Sequence, residues 1–63
     1  MTVKVYALAN ITSERLGTVE GNWYPVLKIE HPKMNKEGLI TIIGEDGLLH
    51  RQTAYHFNKF DAR

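Results

Sequence analysis

Histidine titrates near neutrality and is the commonest metal ligand, and this chain carries three: His31, His50 and His56. A tetrahedral zinc site needs three or four close ligands, commonly grouped at short spacings. These histidines are scattered, and the chain has no cysteine to join them. Only His50 and His56 could meet, across a final hairpin, so no metal and no cofactor are expected. Ser13 is the one serine, and neither a nucleophile elbow nor a glycine-rich phosphate loop surrounds it. The carboxylates Glu14, Glu20, Glu30, Glu37, Glu45, Asp46 and Asp61 fall mostly at strand ends and turns. Nothing in their spacing marks an acid–base pair facing across a cleft. A barrel of this size also lacks room for a pocket of several hundred Å³, the usual size of a substrate site. The expectation is a protein that is not an enzyme.

Binding chemistry is better represented. Tyr6, Trp23, Tyr24, Tyr55, Phe57 and Phe60 cluster near strand starts and the last turn. Phe57 and Phe60 follow the apolar pattern and are expected in the core. Tyr and Trp combine an apolar body with a polar tip and suit half-exposed anchoring positions. Tyr6, Trp23, Tyr24, Arg51, Tyr55 and His56 are therefore the candidate partner-binding residues. The cations Lys4, Lys28, Lys33, Lys36, Arg51 and Lys59 could join the tyrosines in a nucleic-acid face, since aromatics stack bases while cations hold phosphates. Glu30, Glu37 and Glu45 are interleaved among them, and the formal net charge is only +1. That balance is poor for phosphate binding.

Size limits what can position these residues. Sixty-three residues make one domain, spanning 1–63. A chain of this length buries about 60% of its unfolded surface, so packing must be good or a second copy must help. The composition, 43% hydrophobic and 24% charged, is that of a folded chain. No apolar run approaches the roughly 20 residues that a membrane-spanning helix requires. The N-terminus lacks a secretion signal's long apolar stretch. A soluble, cytoplasmic protein is expected.

Val3 to Leu8 reads as a first strand, with Val3, Val5 and Ala7 on one face and Lys4 and Tyr6 on the other. Residues 10–17 hold either one helical turn or a meandering loop, and Gly21-Asn22 signals a turn. Tyr24 to Glu30 forms a second strand in which Leu27 and Ile29 oppose Lys28 and Glu30. His31 to Gly38 is a polar loop. Leu39 to Ile43 is a strand apolar on nearly all sides, so it is either covered on both faces or part of a homodimer. Glu45-Asp46-Gly47 signals a tight hairpin turn leading into a partner strand, Leu48 to Gln52. Thr53 to Phe57 suits a short 3₁₀ turn capped by Thr53, Asn58 to Asp61 a brief closing strand, and Ala62-Arg63 a frayed end.

The stretch from Leu39 to Asp61 resembles the C-terminal half of small Src-homology-3-like barrels in its order of strand, tight turn, strand, 3₁₀ turn and short strand. The resemblance implies a mainly β fold, a five-stranded barrel with a 3₁₀ turn before its last strand. The N-terminal half departs from the eukaryotic signalling version. Val5-Tyr6-Ala7-Leu8-Ala9-Asn10 only loosely echoes that version's opening, and Trp23 precedes the second strand, not the third. Proline-rich peptide binding is accordingly not carried over. Similar domains occur as short bacterial and phage proteins, which implies an accessory or regulatory module that binds and modulates another protein. The alternative expectation is a nucleic-acid-binding barrel.

Overall fold

The computed structural model describes residues 4–31 and 38–62. Short runs rich in β-branched and aromatic residues form β1 (Val5–Ala9), β2 (Trp23–Glu30), β3 (Leu39–Ile43), β4 (Leu49–Thr53) and β5 (Phe57–Ala62). A 3₁₀ turn, Ala54–His56, separates β4 from β5. Thr53 caps it, its side-chain oxygen accepting from the Tyr55 N–H at 3.4 Å. The fold is mainly β, as expected. Every pairing is antiparallel, in the order β4-β3-β2-β1-β5.

That order imposes a shape. Strands pair about 4.8 Å apart, so the edges of a flat five-stranded sheet lie ~19 Å from each other. β4 and β5 are those edges, yet only the three residues of the 3₁₀ turn join them. A 3₁₀ segment rises about 2 Å per residue and cannot cross such a gap. The sheet must therefore curl, and it bends at two irregularities, one between Leu8 and Ala9 and one between Val26 and Lys28. β4 and β5 do not pair with each other, so among the described residues the sheet stays open and does not close into a barrel.

The concave face holds the core. Ala7 lies opposite Tyr24, Ala9 opposite Phe57, and Val26 opposite Ile42. Ala7, Ala9, Tyr24, Ile40, Ile42 and Phe57 are buried together, with Val26 packed against them. β3 lies between β2 and β4, and its Ile40 and Ile42 are fully buried.

Three expectations are corrected. Leu27 and Ile29, read as one apolar face of β2 against Lys28 and Glu30, are 56% and 48% exposed. The irregularity leaves Leu27 as the extra, unpaired residue between Val26 and Lys28, so the regular alternation breaks there. Phe60 lies opposite Ala7 but is 49% exposed, because β5 is an edge with no neighbouring strand on its far side among the described residues. Ala62 is paired with Val5 and belongs to β5 instead of fraying. Residues 10–22 form a loop, closed locally by Ser13 and Thr18, and contain no helical turn. Val3, Arg63 and the polar loop with Lys33, Lys36 and Glu37 lie outside the described residues.

Ile42 has no exposed surface. Ile42→Ala is expected to cost about 2–5 kcal/mol in equilibrium urea unfolding. Leu27→Ala, at an exposed bulge, should cost less than about 1 kcal/mol.

Candidate binding surface

Tyr24 ties the 10–22 loop to the sheet. Its side chain is 4% exposed; its hydroxyl accepts from the Val19 N–H and donates to Glu45 Oε1, both at 2.7 Å. Asn22 Nδ2 donates to the same carboxylate oxygen at 2.7 Å. The Glu45 N–H donates to the Gly17 carbonyl at 2.7 Å, which docks the loop on the β3–β4 turn. Beneath that contact the His50 ring lies against both segments. A Cβ on Gly44 would come within 2.7 Å of the Gly17 carbonyl and of the ring, so only glycine fits there. His50 Nε2 lies 2.9 Å from both Asp46 oxygens; it carries the proton, because a carboxylate only accepts.

The other end of the loop is held as firmly. The Asn10 N–H donates to the His56 carbonyl, and its side-chain amide donates to the Tyr55 carbonyl and to Asn58 Oδ1. His56 Nδ1 donates to Gln52 Oε1 at 2.8 Å, while Gln52 Nε2 donates to the Leu16 carbonyl. The two histidines thus serve separate networks. Among the described residues no three His, Asp or Glu side chains converge on one point. No helix there is long and apolar enough to cross a membrane.

What stays accessible lies at the bend of β2. A depression of about 510 Å³ is lined by Lys4, Val5, Tyr6, Pro25, Val26, Leu27 and Ile43. A smaller one of about 310 Å³ continues it along Lys28 and Ile29, sharing Val5, Val26 and Leu27. The loop and the β3–β4 turn border a separate groove of about 360 Å³, with Glu14, Glu45 and Asp46 among its walls. So small a domain does hold recesses of several hundred Å³, contrary to expectation. They are open surface features formed where the sheet bends and the loop crosses.

The six candidate residues disperse. Tyr6 lies opposite Pro25 and Leu8 opposite Trp23, so Tyr6 and Trp23 are diagonal neighbours on the convex face. Tyr55, 68% exposed, sits on the 3₁₀ turn. Arg51 lies on β4 with its Nε 3.1 Å from Glu30 Oε1. Tyr24, expected to be half exposed, is instead a core residue whose hydroxyl is engaged. His56 is half-buried against Gln52. Sequence reasoning missed Leu27, Ile29, Pro25 and Ile43. The signal was present in the adjacent pair Val26-Leu27, since two consecutive apolar residues cannot share one face of a regular strand. No protein-family model, curated protein or solved structure matches the chain.

Hydrogen bonds from Tyr24 and Asn22 hold Glu45 below the usual carboxylate range. The Leu48 N–H and His50 do the same for Asp46. Burial, then the Glu45 contact, pushes the Tyr24 phenol up. Both carboxylates bind protons more readily in the unfolded chain, so their contribution is complete above the ordinary range and lost as pH falls below about 4. The phenol's contribution is complete below its ordinary value near pH 10 and is lost as pH rises through the raised one. Tyr24→Phe is expected to cost about 1–2 kcal/mol at neutral pH and to flatten the alkaline decline, as read from urea unfolding across pH.

Proposed function

We propose that this chain is a non-catalytic protein-binding module that works through the depression at the β2 bend. One observation carries the reading: Leu27 and Ile29, about half exposed, flank a preformed apolar recess on a scaffold whose loop is pinned at both ends. Large apolar side chains gathered around a concavity are what protein–protein anchors dock into. Four groups of the kind that acid–base chemistry uses, His50, Asp46, Glu45 and His56, are engaged in holding the loop and the β3–β4 turn. The reading suits a small Src-homology-3-like accessory or regulatory protein of the bacterial or phage kind, a link that rests on the resemblance in element order. A nucleic-acid face fits less well, because Arg51 is paired with Glu30 and Lys59 lies on the opposite edge strand.

The chain immobilised on resin should capture a stoichiometric protein from a bacterial lysate treated with nuclease. Leu27→Asp should abolish that capture, and Tyr55→Ala, away from the recess, should leave it intact. Capture that survives Leu27→Asp, or capture that appears only when the nuclease treatment is omitted, would overturn the reading.

A further inference from the structure

Charge around the recess narrows the partner. Lys4 and Lys28 belong to its lining, and no carboxylate does among the described residues. Neither lysine is held in an ion pair among the described residues, whereas Arg51 is taken by Glu30 and Asp46 by His50. The loop groove has the opposite character, with Glu14, Glu45 and Asp46 in its walls. A near-neutral chain therefore presents one apolar recess bordered by cations and another bordered by anions.

We infer that the recess at the β2 bend takes a short acidic–apolar segment of a partner protein. A large apolar side chain of the partner seats against Val5, Val26 and Leu27, and carboxylates on either side of it meet Lys4 and Lys28. The inference rests on the protein-binding reading above and names the chemistry of that same site. β1 is paired on both sides, by β2 and β5, so the segment docks through side chains and not as an added strand. An anionic membrane is a poorer fit, since interfacial binding needs protruding apolar groups and clustered cations, and this site is concave with two lysines. A second copy is also poorer. The chain's own Glu45-Asp46-Gly47-Leu48-Leu49 has the right pattern, but its carboxylates are already bonded to Tyr24, Asn22 and His50.

The test uses the full ¹⁵N-labelled chain and the peptide acetyl-Asp-Glu-Phe-Glu-Asp-amide, followed by amide shifts at low salt. Shifts are expected at residues 4–6 and 26–29. Replacing the acids with Asn and Gln should weaken binding about three- to tenfold, the scale of two exposed ion pairs. Lys28→Glu should weaken the acidic peptide similarly and reverse the preference toward a Lys-Arg-Phe-Arg-Lys peptide, a readout that misfolding does not imitate. Equal binding of the uncharged peptide, or shifts located elsewhere, would overturn the inference. So would co-sedimentation with phosphatidylglycerol vesicles through the same residues, or peptide-free shifts there that grow with protein concentration. A partner captured in a Leu27-dependent but salt- and Lys28-independent way would sink the acidic-segment inference and leave the protein-binding reading standing.

Discussion

Three residues join the two edges of the sheet, and most of the molecule's shape follows from that restriction. β4 and β5 are separated by three intervening strands in the pairing order, yet Ala54–His56 is all that links them. The backbone can meet this condition only if the strands between them bend. β2 bends by accommodating Leu27 as an extra residue, and β1 shifts register between Leu8 and Ala9. One bend makes the concave face that buries Ile40 and Ile42; the same bend turns Leu27 outward. Core and candidate binding site are thus two sides of one distortion.

A curled but open sheet leaves two exposed edges and a partly covered concave face. The 10–22 loop supplies the cover, and it does so with polar ties more than with apolar mass. Tyr24, Glu45 and Asn22 hold one end, and Asn10, Gln52 and His56 hold the other. Domains this short lack the buried area to fix a long loop by packing alone. Hydrogen bonds to partly buried partners provide the geometric definition instead. Histidines, tyrosine and carboxylates that look chemically promising in sequence are drawn into this role. The edges carry Arg51 on β4 and Lys59 on β5, charges that discourage strand-to-strand association.

The functional consequence is a division of the surface by charge. Glu45 and Asp46 beside the loop are bonded internally, whereas the β2 bend is apolar, with Lys4 and Lys28 in no ion pair among the described residues. On the proposed reading, such an arrangement would favour orientation of a partner over raw affinity, because complementary potentials steer encounter and penalise the wrong register. The recess itself is preformed, which lowers the ordering cost of association.

The number of strands, the turn at Asp46-Gly47 and the 3₁₀ turn capped by Thr53 were legible in the sequence, because each depends on neighbours a few residues apart. Leu39 to Ile43 could likewise be read as an interior strand from its unbroken apolar run. Burial of Tyr24 and exposure of Phe60 were not legible, and the Val26-Leu27 pair marked a break in alternation without showing how far Leu27 would be exposed. Each depends on which strand lies alongside and where the sheet bends, and those are set by contacts between residues far apart in the chain. His50 shows the difference most clearly. Its chemistry is evident from one letter, but its commitment to Asp46 and to the crowded approach of Gly17 and Gly44 exists only once the loop has crossed the turn. Local propensity determined the elements; long-range pairing decided which side chains they hide and which they present.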